Sequence, residues 1–382
     1  YSPEYGKNHH IITTMKRIIS VFAAALFCLA ASAQTPKDVK FRFTEASELN
    51  LIGKIMDNTP NPYHRVDTVL YKGFTTGENR QVRCPTGLAV LFKTNSTVIS
   101  VKTEWGWEYS SVATMPIAYR GYDLYIKRDG EWVWAAAQAT KPEKGRDNLV
   151  LIKDMDGSEH ECLLYMPNYS EVNSCRIGIE EGASIEPLEN PFRHRIVFHG
   201  SSYTHGVSTS RPGMSYPMQF MRHTGLQVLS LGVSGNCKMQ PYFAAVLEDV
   251  EADAYVFDSF SNPDAKMIEE RLIPFIDRMV AAHPGKPLIF QQTIYRESRN
   301  FSLSIDKREQ DKMDMAEKIF REIVFSKENR EKYKDVYFIT PNASCNHESS
   351  VDGTHPDNYG YYLWARSIEK PVLKILRKYG IR

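Results

Sequence analysis

Beyond residue 33 the sequence has no apolar stretch long enough to cross a bilayer, so any membrane-directed segment lies at the start of the chain. Nor is there a dominant charge, because 47 Lys and Arg face 46 Asp and Glu without a basic block or an acidic tail. Phosphate backbones are bound by concentrated positive charge, so nucleic acid is not expected as a partner. Cysteine is scarce, at six in 382 residues, and neither C-x-x-C nor H-E-x-x-H occurs. No zinc site, and no other metal or cofactor, is therefore expected. The cysteines after residue 33 are Cys84, Cys162, Cys175, Cys237 and Cys345. An odd, widely spaced set is not a disulfide framework. Cys162 and Cys175 could pair in an oxidising compartment, but buried free thiols are the simpler reading.

The one long apolar run has the grammar of a leader. Met15-Lys16-Arg17 is followed by the apolar stretch Ile18 to Leu29 and then by Ala31-Ser32-Ala33. A short basic region, about a dozen apolar residues and an A-x-A site make a secretory signal peptide, with cleavage after Ala33. A lipoprotein anchor at Cys28 is the competing reading, and bulky Phe27 before it argues against that. The expectation is an exported protein, periplasmic or extracellular, whose residues 1–33 take no part in the fold.

The rest divides in two by pattern. Residues 34–190 read as β structure. Leu88, Val90 and Phe92 alternate, as do Val98, Ser100 and Lys102. Tyr122, Leu124 and Ile126 run into Arg128-Asp129-Gly130, and Trp132, Trp134 and Ala136 follow. Asp-Gly between two alternating runs is a strong hairpin signal. Many short strands with almost no helical period predict an all-β sandwich or jelly roll. Residues 191–382 change character. Short apolar runs at 195–199, 227–231, 254–258, 287–291 and 336–340 alternate with helical patterns, notably 266–282 and 306–325. That alternation predicts an α/β unit with a parallel sheet, its ligand site at the carboxyl ends of the strands.

The polar residues collect at those strand ends. The first run stops at Gly200-Ser201-Ser202-Tyr203-Thr204-His205-Gly206, the second at Gly232-Val233-Ser234-Gly235-Asn236, and the third at Asp258-Ser259-Phe260-Ser261-Asn262. The last is followed, after a loop, by Asp352-Gly353-Thr354-His355-Pro356. In order and spacing these four segments resemble the signature blocks of the SGNH (GDSL-type) hydrolases. Ser201 stands where the family's first block has Asp, and the third block keeps only Asn262 of G-x-N-D; Asp352 to Pro356 match D-x-x-H-P. Upstream, Gly121-Tyr122-Asp123-Leu124-Tyr125 is similar to the G-x-D-L-Y motif of a β domain that precedes some of these hydrolases. The resemblance implies a flavodoxin-like parallel sheet. It also implies Ser202 as nucleophile, His355 as base, Asp352 as the partner of that base, and an oxyanion hole from Ser202, Gly235 and Asn262.

The chemistry asks for the same residue types. A serine hydroxyl is a weak nucleophile and needs an adjacent base. Imidazole, with an ordinary pKa of about 6.5, suits that task near neutral pH. A carboxylate on the second ring nitrogen fixes the tautomer, and Asp352 is three residues from His355 on one loop. His199, Tyr203, His205 and Glu297 are candidate pocket residues, although structural histidines and a solvated Arg296-Glu297 pair explain the same positions. Trp105, Trp107 and Tyr109 alternate as one face of a strand would, as core aromatics or as a stacking surface for sugar rings.

The expected activity is hydrolysis of carboxylic esters, with short acyl groups such as acetyl on carbohydrate as the expected class. The expected partner is thus a small-molecule or oligosaccharide ester. A glycan-binding protein with a vestigial hydrolase domain is the alternative from another class. A lipase or thioesterase is a further one, disfavoured by the lack of a long apolar lid segment.

Overall fold

The computed structural model describes residues 39–139, 148–341 and 345–382. The leader and its cleavage site lie outside the described residues. Phe41–Arg382 form one compact unit. Among its described residues ten strands come from the first half of the chain: β1 Phe41–Glu45, β2 Asn50–Ile52, β3 Ala89–Thr94, β4 Ile99–Trp105, β5 Gly121–Arg128, β6 Glu131–Ala139, β7 Leu149–Ile152, β8 His160–Tyr165, β9 Val172–Glu180 and β10 Ile185–Pro187. They make two antiparallel sheets, one in the order β1-β9-β4-β7 and one in the order β10-β3-β8-β5-β6 with β2 also on β3. The β5–β6 hairpin turns through Asp129 and Gly130, both with positive φ, as a two-residue turn of primed type requires.

Side-chain alternation explains why the second sheet is a middle layer. Val90 and Phe92 of β3, Leu124 of β5 and Leu164 of β8 face the first sheet and meet its Ile99, Val101 and Ile177. Their neighbours Ala89, Leu91, Tyr125, Leu163 and Tyr165 face the other way and join Phe198, Tyr216 and Met218 from the second half of the chain. The sheet is buried on both faces, so its strands read as continuous apolar runs more than as simple alternation.

Two short helices interrupt the β half: α1 Thr76–Val82 and α2 Pro116–Arg120. Helix α1 opens with a reciprocal capping box between Thr75 and Glu78. The expected strand through Trp105, Trp107 and Tyr109 ends at Trp105, and the other two aromatics lie in the loop beyond it. The five cysteines among the described residues are free, with Cys162 and Cys175 buried and unpaired.

The second half supplies five parallel strands, β11 Arg193–Gly200, β12 Leu226–Gly232, β13 Ala254–Asp258, β14 Leu288–Gln291 and β15 Val336–Ile339. Their order, β12-β11-β13-β14-β15, is the flavodoxin-like arrangement, with a topological switch between β11 and its two neighbours. After the single turn α3 Ser202–His205 come α4 Tyr216–Thr224, α5 Pro241–Glu248, α6 Ala265–Ala282, α7 Leu303–Ile319 and α8 Asn358–Leu376. Alternate strand residues point to opposite faces. Ile196, Phe198 and Val256 pack with α4 and α8, whereas Val197, Tyr255 and Phe257 pack with α5, α6 and α7. Helix α7 ends in a π-helical stretch, Phe320–Val324, which accounts for the helical pattern running to residue 325. No helix among the described residues is long and apolar enough to cross a membrane.

Candidate active site

The switch point brings the ends of β11, β12 and β13 side by side, with Gly200 opposite both Gly232 and Asp258. The chain leaves β11 through Ser201, whose hydroxyl accepts the Tyr203 N–H at 3.3 Å and caps α3. Ser202 is the first residue of that turn. There is no room for larger residues around it. A Cβ on Gly200 would lie 2.1 Å from Thr204 Oγ1, and one on Gly232 would lie 2.2 Å from the backbone nitrogen of His205.

Asp258 sits beneath this turn, fully buried. Its carboxylate accepts from the Ser201 N–H at 3.2 Å, the Ser201 hydroxyl at 2.8 Å, the Thr204 hydroxyl at 3.1 Å and the Ser261 hydroxyl at 3.1 Å. Burial pushes its carboxyl up to about 6, against the pull of these donors. Ser201 occupies the position of the family's acidic residue, and here the acid faces it from the neighbouring strand.

The Ser202 hydroxyl lies 2.9 Å from Nε2 of His355. Nδ1 of the same ring lies 2.8 Å from Oδ2 of Asp352, whose Oδ1 accepts the N–H groups of Thr354 and His355 at 2.9 and 2.7 Å. Partial burial opposes ionisation of Asp352, but the bonds from the His355 ring and from the backbone outweigh it and hold the carboxyl below its ordinary range. The loop is closed on itself by Val351 N–H donating to His355 O at 2.9 Å.

Gly235 takes a left-handed φ of 71° in the loop after β12, where a side chain would be strained. That loop is tied to the β half, since Gln81 donates to Ser234 O at 3.0 Å and the Tyr169 and Ser234 hydroxyls lie 2.5 Å apart. Asn262 accepts the Cys237 N–H through Oδ1 at 3.1 Å. That bond commits the oxygen end and leaves the amide N–H groups as donors. Ser202, Gly235, Asn262, Asp352 and His355 all line one cleft of about 650 Å³.

The four candidate pocket residues lie outside that lining. His199 is buried, with its ring nitrogens 2.9 Å from Leu231 O and 3.4 Å from Cys237 Sγ, and burial lowers its pKa to about 4. His205 is wholly buried, with Nε2 2.8 Å from Asn168 O and its ring stacked on Tyr169 at 3.9 Å, and burial keeps it neutral. Tyr203 is buried too, donating to Thr354 O at 3.0 Å and accepting from Arg296 at 2.8 Å, so it braces the loop that carries His355. Glu297 accepts from Asn300 at 2.6 Å and pairs with His347 at 2.5 Å.

Other residues enter the site without having been singled out from sequence. Gln81, Ser111 and Ala113 bring a wall from the β half, beside Tyr109 of the alternating aromatics, and Arg308, Glu309 and Lys312 bring one from α7. Arg296, which the sequence offers with Glu297 either at the mouth of the cleft or as a solvated pair, lines the same cleft and is largely buried. Charged residues on a helix read as a solvated face, and loop residues such as Ser111 carry no pattern at all. Only Asp258, a carboxylate closing an apolar strand, left a usable trace. Among the described residues no three His, Cys, Asp or Glu side chains gather as a metal ion would need.

No curated protein matches the chain in sequence. The profile of the GDSL-like lipase/acylhydrolase family matches residues 193–374, and that of GxDLY, the N-terminus of SGNH-hydrolase-type esterases, matches residues 41–185. Among solved structures, a protein from Bacteroides ovatus described as a GDSL-like lipase is 35% identical, with a TM-score of 0.83 over 88% of this chain and 98% of that one. A salicylyl-acyltransferase from a tetracycline biosynthetic pathway shares the fold at 19% identity, with a TM-score of 0.67 over 90% and 99% of the two chains. A family two carbohydrate esterase from Cellvibrio japonicus shares it at 12% identity, with a TM-score of 0.56 over 88% and 98%. With its G-x-D-L-Y β half, its flavodoxin-like sheet and its serine at the switch point, the chain belongs to the GDSL-like (SGNH) family of ester hydrolases.

Proposed function

We propose that the protein is an exported serine esterase that removes short acyl groups, acetyl foremost, from carbohydrate. The observation that carries the chemistry is the continuous relay from the Ser202 hydroxyl through His355 to Asp352 at the floor of an open cleft. His355 takes the hydroxyl proton as Ser202 Oγ bonds to the ester carbonyl carbon. The carbonyl oxygen becomes an oxyanion held by the Ser202 and Gly235 N–H groups and the Asn262 amide. The carbon–oxygen bond to the alcohol then breaks, and the alcohol leaves with the proton from His355. Water attacks the acyl-enzyme with His355 again as base, releasing the acid and restoring Ser202.

The cleft around Ser202 is lined mainly by polar side chains, among them Gln81, Tyr109, Ser111, Ser234 and Asn262. That lining suits a small acyl group on a hydroxyl-rich alcohol better than a long alkyl chain. Carbohydrate is favoured by the β half that walls the cleft and by the fold shared with the carbohydrate esterase. Export rests on the leader at residues 15–33. A vestigial, purely binding domain has no use for an aligned relay of this kind.

The test is labelling by a fluorophosphonate probe, with the adduct located by peptide mapping, alongside p-nitrophenyl acetate hydrolysis by wild type and Ser202→Ala. The expected result is an adduct on the peptide carrying Ser202 and a loss of about 10³-fold or more in the variant. Equal rates in the two proteins would remove Ser202 from the reaction.

A further inference from the structure

The wall of the cleft beside Asn262 gathers three cations around one buried carboxylate. Arg296, Arg308 and Lys312 converge on a single carboxylate, Glu309, whose side chain is 2% exposed. Lys312 Nζ lies 2.5 Å from it, an Arg296 terminal nitrogen 3.2 Å and Arg308 Nε 3.4 Å. Arg296 and Lys312 also donate to the carbonyl oxygen of Ser261, at 2.7 and 3.1 Å, which fixes both cations against the loop that carries Asn262. The other carboxylates of the lining are already committed. Asp352 holds His355. Asp264 accepts the Met267 N–H at 2.8 Å as the N-cap of α6, where the helix dipole offsets its charge. Three cations therefore have one carboxylate, Glu309, in direct contact.

The cations act on one another. Lys312 has its ammonium pulled down to about 8, by burial first and then by the Arg296 and Arg308 charges. An anion bound beside the set would relieve that repulsion. Arg308 is placed to meet one, since its side chain is 60% exposed, it lines the cleft, and its terminal N–H groups carry no bond within the described residues. A guanidinium left with its planar fork free is well shaped for bidentate pairing with a carboxylate.

We infer that this wall is a subsite for a carboxylate on the substrate, so that the ester is borne by an acidic saccharide, an O-acylated uronic acid or similar sugar acid. The inference rests on the esterase reading above. Because the acyl group in that reading is small and uncharged, the carboxylate belongs to the alcohol. Attraction of this kind is screened by salt, and it acts on KM and on capture of substrate.

The experiment measures acetate release from acetylated glucuronic acid and from acetylated glucose, by the full chain at low and high salt. Wild type should favour the acid by about tenfold in kcat/KM at low salt, and the preference should shrink in high salt. Arg308→Ala should abolish most of that preference. Lys307→Ala removes the same charge one residue away, from a side chain that is exposed and paired with Asp311, and should leave the preference in place. Equal rates on the two sugars in wild type, or a preference insensitive to Arg308, would overturn the subsite while leaving the esterase intact. Turnover of p-nitrophenyl acetate with neither sugar hydrolysed would overturn the saccharide assignment. No release from any of the three esters would overturn the esterase reading and the subsite with it.

Discussion

In the proposed mechanism Asn262 divides one side chain between support and chemistry. Its oxygen takes the Cys237 N–H at 3.1 Å, so only its nitrogen can donate to an oxyanion in the cleft. Asn262→Asp keeps the accepting oxygen and replaces the donor with a negative charge. The folded state should survive with little change in Tm, while kcat falls by about 10²–10³, the usual cost of one lost oxyanion donor. A variant with wild-type kcat would put Asn262 outside the reaction. Asp258 makes a different prediction, in stability. Its carboxyl moves from 3.8 to about 6 on folding, chiefly because it is buried, so the folded chain binds the proton more tightly than the unfolded chain does. That proton's contribution to stability is full below the unfolded value and is lost as pH rises through about 6. The difference amounts to about 3 kcal/mol. Thermal melts of wild type and Asp258→Asn between pH 4 and 7 should therefore diverge, wild type gaining several degrees relative to the variant as pH falls. Parallel curves would refute the buried, proton-seeking carboxylate.

The strand ends were legible in the sequence because each short apolar run stops at a small or polar cluster, and the parallel sheet needs those ends together. Ser202, Gly235, Asn262, Asp352 and His355 consequently fall in one cleft. Other elements were hidden for identifiable reasons. The Thr75–Glu78 capping box is written in the sequence, but no amphipathic run follows it, so α1 gave no period to read. The walls from α7 and from the loop after β4 depend on tertiary placement, which no local pattern records. Glycine has two distinct uses here, and substitution separates them. A Cβ on Gly235 meets nothing within 4 Å, so Gly235→Ala should cost only the strain of its left-handed backbone, about 1 kcal/mol. A Cβ on Gly232 would strike the backbone of α3, which cannot yield as a side chain can. Gly232→Ala should cost about 3 kcal/mol or more and displace Ser202. Comparable melting temperatures for the two alanine variants would mean that α3 is not wedged against β12.

Across the whole molecule the β half works as part of the hydrolase and not as an appendage. The aspartate of Gly121-Tyr122-Asp123-Leu124-Tyr125 is buried at the junction, where burial raises its pKa, and there it accepts Arg211 through both oxygens, at 2.8 and 2.7 Å, and the Gly213 N–H at 2.9 Å. Arg65, also fully buried, reaches from the β half to the carbonyls of Ser230 and Gly232 at 3.1 Å each, bracing the strand that leads to Gly235. Leu91, Leu163 and Tyr165 share a core with Phe198, Tyr216 and Met218. Removing one partner of a buried ion pair costs about 3–5 kcal/mol, because the other charge is left unpaired. Asp123→Ala should accordingly lower the melting temperature of the whole chain in a single transition, with loss of ester hydrolysis following the loss of fold. Residues 191–382 expressed alone would expose the apolar face that the middle sheet covers, and would lack the wall that Gln81, Tyr109, Ser111 and Ala113 supply. Such a fragment should bind a hydrophobic dye, melt without a cooperative transition and fail to turn over p-nitrophenyl acetate. If instead it melted cooperatively at the temperature of the whole chain and kept its kcat, the shared core would be dispensable and Asp123 a surface contact between independent parts.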